Sequence, residues 1–329
     1  MNRAAGMLAG VAIGDALGMP AEFLTPDLIQ AWYGGISGLV VAHPSHPHYR
    51  LPAGSVTDDT DHTLMLAKLL IDHERIDPHE LARRLLDWGL SPRVQENRFV
   101  GPSTLKTLAA LKDGKALTEV PRGGTSVGAA MRVAPLAIVF ADQDRLIEQV
   151  VASCAVSHYT RNAISGAMST AFALSAALLA DASRESICQA AREGTVIGRQ
   201  YGDWSWSPPI EKRIDHAVEW ARTLPEPQVL ARLYELIGVD MFAEQLLPCA
   251  LAILVLYDGD PDRVMLACAN LGGDADTLAS MAGALSGGWR GLGAVNSGWL
   301  SQVEAVNAFD LTGTAGQLLE LRHRLQEGA

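Results

Sequence analysis

Apolar residues recur along nearly the whole chain at the three- and four-residue spacing of amphipathic helices, and runs alternating at every second position are almost absent. This pattern predicts helices over residues 3–18, from Leu64 through Leu70, and over 78–89, 103–112, 127–140, 144–156 and 160–181. Further helices are expected over 185–199, 211–223, 226–237, 242–257, 261–269, 275–288 and 314–326. Leu24 to Leu51, broken by Gly34-Gly35, Gly38 and several prolines, reads as a long irregular connection. Tyr201–Pro209 (YGDWSWSPP) reads as an insertion, because it breaks the helical pattern and holds two of the seven tryptophans. The expectation is an all-α fold in one domain spanning residues 1–329.

Two finer patterns stand out. Gly6, Gly10, Gly14 and Gly18 fall at intervals of four, so on a helix they share one face, where another backbone can come close. A weak internal repeat pairs Asp144 and His158 with Asp260 and Asp274, each 14 residues apart. Both units read as helix, turn, helix, polar elbow, helix, which puts His158 and Asp274 at equivalent elbows. Chance likeness between helical hairpins is the plain alternative.

Composition narrows the classes. Of the 329 residues 48 % are hydrophobic and 19 % charged, which is globular and not disordered. The net charge of −11 lacks the basic footprint of a nucleic-acid binder, so no nucleic acid is expected as a partner. Asp15 and the surrounding glycines set the apolar start apart from a signal peptide, and no membrane partner is expected. Cys154, Cys188, Cys249 and Cys268 lie far apart in apolar helical patterns, as buried free thiols would. A soluble cytoplasmic protein is the expectation.

The chemistry concentrates in two acidic segments. Ser55-Val-Thr57-Asp58-Asp59-Thr60-Asp61 directly precedes the helix expected near Leu64. Three carboxylates within four residues repel one another unless solvated, protonated or holding a cation. Gly272-Gly273-Asp274-Ala-Asp276-Thr277 likewise opens a small-residue helix. Either segment alone can be simple helix capping. Facing each other across one cleft, they form an oxygen-rich site of the kind hard divalent cations take. Two ions there lower the pKa of a shared water, with Asp276 as general base.

Other candidates are less specific. Asp15 and Glu22 sit in an otherwise apolar stretch, where carboxylates need partners. His158 sits at its polar elbow. His43, His46 and His48 look metal-like by count, but interleaved prolines favour an ordinary loop. Gly123-Gly124-Thr-Ser126-Val-Gly128-Ala-Ala-Met131 leads into a helix without a P-loop lysine, and its N–H groups can hold phosphate or simply pack.

Together, GDALGMPAEF, TDDT, GAAMRVAPL, SHYTRNAISGA and GGDADT resemble, in order and over nearly the whole chain, the ADP-ribosylglycohydrolase family. The resemblance implies an orthogonal helical bundle with a central cleft holding two Mg²⁺ ions, or Mn²⁺. It implies Thr57, Asp58, Asp59, Asp274, Asp276 and Thr277 as metal ligands, with Asp276, Asp59 and Glu22 as the catalytic carboxylates. Glu22 then lies near the ribose, and Asp15, Gly124, Ser126, Gly128, Met131, His158 and Gly273 join it around the substrate. The implied activity is hydrolysis at the ribose anomeric carbon of an ADP-ribosylated protein or small molecule.

One departure is Ser126-Val-Gly128-Ala-Ala, where the family often has an Asn. It leaves open a smaller nucleoside as substrate; a non-catalytic crystallin-like relative is a separate alternative, against which the intact acid set argues. Trp204 and Trp206 are candidates for a stacking wall.

Overall fold

The computed structural model describes residues 1–97 and 100–327. Among them the regular elements are seventeen α-helices with short 3-10 segments and one π turn, and extended backbone meets only in isolated single bridges. The all-α expectation holds.

The centre is an antiparallel pair, α1 (Asn2–Gly18) and α15 (Ala275–Arg290). Both are buried on all sides, α1 from Ala4 and α15 through Trp289. The reason is the glycine stripe. A methyl added at Gly6, Gly10, Gly14 or Gly18 would lie 2.0–2.4 Å from the carbonyl oxygen of Gly287, Gly283, Ala279 or Ala275 respectively. The two backbones therefore touch without side chains between them. With its 3-10 extension, Asn2–Ala21 is long and apolar enough to cross a membrane, yet its apolar stretch is buried inside the protein, which accounts for its apolarity.

Several expectations need correcting. The helix expected after the Thr57-Asp58-Asp59 segment instead begins inside it, as α3 (Asp58–His73). The stretch read as irregular contains α2 (Pro26–Tyr33), capped by Thr25 and ended by Gly34 in the left-handed conformation. A Thr-Pro start followed by a Gly-Gly stop is a helix signal in its own right. The span 127–140 divides into a 3-10 segment Val127–Ala129 and a short helix Ala134–Val139, while 226–237 ends in a π turn, Leu233–Ile237. Helices Pro92–Asn97 and Ser297–Asn307 were not expected.

The repeat survives as architecture. Helix pairs flank the elbows holding His158 and Asp274, but the first unit's cap is Asp142, not Asp144, so the equal spacing does not carry over to the caps. All four cysteines are free and buried.

Gly10→Ala is expected to lower stability by roughly 2 kcal/mol or more despite alanine's better helix propensity, because neither backbone can move aside. Gly293→Ala, where an added methyl meets nothing within 4 Å, is expected to change it by less than about 0.5 kcal/mol. Urea unfolding of the two variants checks the contrast.

Candidate active site

Asp15 lies at the last turn of α1, fully buried. Its carboxylate accepts from the Thr57 N–H at 3.0 Å and the Thr57 hydroxyl at 2.9 Å. It also accepts from the Thr60 N–H at 3.1 Å and the Thr60 hydroxyl at 2.5 Å. Asp15 therefore caps α3 from outside, which is why that helix begins at Asp58 without using the Thr57 side chain as its cap. Asp58, Asp59 and Asp61 then share the first turn, where the helix dipole favours negative charge. Asp61 turns to Trp88 Nε1 at 2.9 Å and Arg93 Nη1 at 2.6 Å, a structural role.

The second elbow is shaped by glycine. Gly272 and Gly273 take φ of +75° and +68°, and a methyl on Gly273 would lie 2.2 Å from the Val239 carbonyl oxygen. The Gly273 N–H donates to Leu24 O at 2.9 Å and the Asp274 N–H to Val239 O at 2.7 Å, which fixes the start of α15. The two elbows meet directly. The Thr57 hydroxyl lies 3.3 Å from Asp276 Oδ2, and the Thr277 hydroxyl donates to Asp59 Oδ2 at 3.1 Å. The Thr57 proton can serve Asp15 or Asp276, one at a time.

Above this contact opens a cavity of about 310 Å³. Thr57, Asp58, Asp274, Asp276 and Thr277 line it, with Glu22, Ser126, Gly128, Met131 and His158. Asp59 and Asp15 are not among its lining residues; Asp15, expected at the substrate, bonds to the two threonines. Gly124 and Gly273 are close-packing positions and not lining ones: a methyl on Gly124 would lie 2.5 Å from Ser157 O. Trp204 and Trp206, 74 % and 84 % exposed, are also absent from the lining, so the stacking wall is not there. Their segment is pinned to the His158 elbow through Asp203, whose N–H donates to Tyr159 O at 2.9 Å, and Trp204 borders a separate hollow with Arg161.

Sequence reasoning undervalued one group. His48 Nε2 stands 2.9 Å from Glu22 Oε2, and His46 Nε2 is 3.0 Å from the Glu22 carbonyl oxygen. The proline-rich histidine loop thus positions Glu22 in the cavity lining. His158 is itself fixed by Ser126 Oγ at 2.9 Å and Ser157 Oγ at 2.7 Å. Burial, helped by the charge of Arg132, lowers the His158 pKa to about 3, so the ring is neutral.

The carboxylates are perturbed in the other direction. Burial raises Asp15 to about 6 and Asp274 to about 7. It drives Asp58, Asp59 and Asp276 well above the usual carboxylate range, with the charges of neighbouring acids adding to the shift. Asp59 Oδ1 and Asp276 Oδ1 are buried without a hydrogen-bond partner. Among the described residues no Lys or Arg lines the cavity, and no three His, Cys, Asp or Glu side chains stand ready to chelate a metal ion as they are. The donor set, all oxygen and crowded with negative charge, nevertheless has the chemistry a hard cation takes, and the two orphaned oxygens are acceptors still to be used.

Known proteins resemble this chain from end to end. The family model for ADP-ribosylglycohydrolase matches residues 1–328. The chain is 31 % identical to the uncharacterised protein YegU of Escherichia coli over 98 % of both chains. It is 25 % identical to the ADP-ribosyl-[dinitrogen reductase] glycohydrolase of Rhodospirillum rubrum, covering 92 % of this chain and 90 % of that one. It is 26 % identical to the ADP-ribosylhydrolase ARH3 of Gallus gallus, over 91 % and 88 %. A solved structure described as an ADP-ribosylglycohydrolase-related protein complex superposes with a TM-score of 0.69 at 24 % identity over 98 % of both chains, which is the same fold. With the family model matching all but the last residue, the chain belongs to the ADP-ribosylglycohydrolase family, hydrolases of ADP-ribosyl glycosidic bonds.

Proposed function

We propose that the chain cleaves the N- or O-glycosidic bond at the ribose anomeric carbon of an ADP-ribosylated protein or small molecule, in a Mg²⁺-dependent reaction for which Mn²⁺ can substitute. The observation that carries this reading is the meeting of the two acidic elbows in one cavity floor, through the Thr57–Asp276 and Thr277–Asp59 contacts. Thr57, Asp58, Asp59, Asp274, Asp276 and Thr277 would hold two ions. Bound there, divalent cations supply charge neutralisation and Lewis-acid polarisation.

The remaining work falls to the chain's own side chains. Glu22, held by His48, would orient the ribose hydroxyls. Asp276, with one oxygen unpartnered, is placed to take a proton from the attacking water. The water oxygen bonds to the anomeric carbon as the bond to the leaving atom breaks. The water's proton passes by way of the carboxylate to the leaving group. Asp59 and its neighbours favour the oxocarbenium-like charge that develops on the sugar.

A second reading has its own support. A pyrophosphate entering this cavity meets carboxylates and no Lys or Arg among the described lining residues. That favours a smaller, uncharged N-riboside unless the cations carry the phosphate contacts. Release of ADP-ribose from an ADP-ribosylated peptide, compared with release of free base from ribonucleosides, separates the two.

On the preferred substrate, Asp276→Asn is expected to lower kcat by about 100-fold or more while the fold is kept. Undiminished turnover by chelator-treated Asp58→Ala protein would rule out the metal-dependent mechanism.

A pH dependence follows as well. Carboxyls whose pKa is raised on folding bind protons more tightly in the folded chain, so stability falls as pH rises from their ordinary 3.8 through about 7. In chelator, the melting temperature is expected to drop between pH 5 and pH 8, values that bracket these raised pKa values to within roughly a unit. Added Mg²⁺ is expected to restore it at the upper end. A flat profile in chelator would mean that the acid cluster is not strained.

A further inference from the structure

Trp206 and Trp204 are the most exposed large apolar side chains among the described residues, at 84 % and 74 %. The backbone that carries them is tied down. The Arg161 N–H donates to Asp203 O at 2.9 Å, and the Asn162 N–H donates to Ser205 Oγ at 3.1 Å. The Ser207 hydroxyl donates to Asn162 Oδ1 at 2.7 Å, and the Asn162 amide donates in turn to Glu244 Oε2 at 2.8 Å. Ser205 and Ser207 are half-buried while Trp204 and Trp206 are exposed, so alternate residues face the protein and the solvent. The polar members take the inward bonds, and the two rings are held out in water. Folding gains nothing from this, because aromatics of this size stabilise a fold by being buried. A pair of tryptophans displayed on a fixed backbone marks an interaction surface.

The surroundings select the partner. A hollow of about 240 Å³ opens beside Trp204, lined by Arg161 and Arg199 and by no Asp or Glu. Arg199 also reaches Glu211 at 2.5 Å, and Arg122, 4.4 Å from the centre of the Tyr159 ring, stands 3.7 Å from Asp203. Arg161, exposed, enters no ion pair among the described residues. On a chain of net charge −11, a hollow with two guanidinium groups and no carboxylate favours an anionic group. Its volume is below the roughly 300–1,000 Å³ of sites that enclose a whole small molecule, and it suits one side chain of a larger partner. Two arginines make no basic stripe for a nucleic-acid backbone to follow. Tryptophan and arginine are instead the residue types that dominate binding energy between proteins.

The position narrows the partner further. Arg161 follows His158 by three residues, so their Cα atoms lie within about 11 Å of each other even at full extension, and His158 lines the cavity. We infer that Trp204, Trp206 and Arg161 form a docking surface for an acidic segment of the protein that carries the ADP-ribosyl group. Apolar side chains of that segment cover the two rings, and a carboxylate enters the hollow. The inference rests on reading the cavity as a ribosyl-hydrolase site, and it selects a protein over a small molecule as the substrate.

The test uses a peptide of Glu and Leu residues and its counterpart with Lys for every Glu. Each is made plain, with a fluorescent label, and ADP-ribosylated at one side chain in arginine- and serine-linked forms. In anisotropy titrations the acidic peptide is expected to bind the unaltered chain about tenfold more tightly than the basic one, and the Trp204→Ser/Trp206→Ser chain is expected to lose that binding. In Mg²⁺ the unaltered chain is expected to favour the acidic ADP-ribosyl peptide in kcat/KM by a similar factor, chiefly through KM. Arg161→Glu is expected to reverse the preference, which a loss of folding could not do. Equal kcat/KM for the two peptides, or a preference that neither variant alters, overturns the docking surface and leaves the hydrolase reading intact. Tighter binding of an oligothymidylate than of the acidic peptide does the same. Discriminating binding without cleavage of any ADP-ribosyl peptide overturns the hydrolase reading, and with it the assignment of the docked segment to a substrate.

Discussion

The whole site hangs on the contact between α1 and α15. Four residues of α1 without side chains lie against carbonyl oxygens of α15, one turn apart, so the pair has neither room to slide nor room to separate. Asp15 follows Gly14 in that stripe, and Asp276 follows Ala275, the partner of Gly18. The register of the glycine contact therefore sets the distance between the residue that caps α3 and the carboxylate facing it. Thr57 closes the triangle, with its hydroxyl between Asp15 and Asp276. A methyl group in the stripe would reach the chemistry by geometry alone, and displacements near 1 Å are costly in active sites.

That rigidity lets the chain tolerate its own electrostatics. Burial and mutual repulsion push the aspartates of the floor upward in pKa, and an isolated hairpin would relieve this by splaying apart. Here the acids are carried by helix starts whose backbones are locked elsewhere. The walls differ in character. Glu22 is steered by His46 and His48, whereas His158 is buried, neutral and bonded to two serines. The cavity so formed combines these carboxylates with the uncharged hydrogen-bonding groups of Ser126 and His158.

Much of this was legible in the chain, for a physical reason. Glycine at every fourth position admits few structures besides a close helix contact, and paired acid-hydroxyl segments before small-residue helices point to two helix starts. What was not legible depends on long-range partners. The start of α3 was misplaced because its cap, Asp15, lies 42 residues upstream and nothing local announces it. The histidines of the Pro-rich loop gave no sign that they reach Glu22, since that contact spans 24 to 26 residues and passes over α2. The tryptophans of the 201–209 insertion misled in the opposite way: they had the chemistry of a binding wall but not the position.

The central claim is that two distant acidic segments form one divalent-cation site. Anomalous diffraction from crystals soaked in Mn²⁺ tests it most directly. The account predicts anomalous density between the Thr57–Asp59 and Asp274–Thr277 segments, with ligands drawn from both and with Asp59 Oδ1 and Asp276 Oδ1 turned toward it. Density held by one segment alone, or found only elsewhere on the surface, would contradict it.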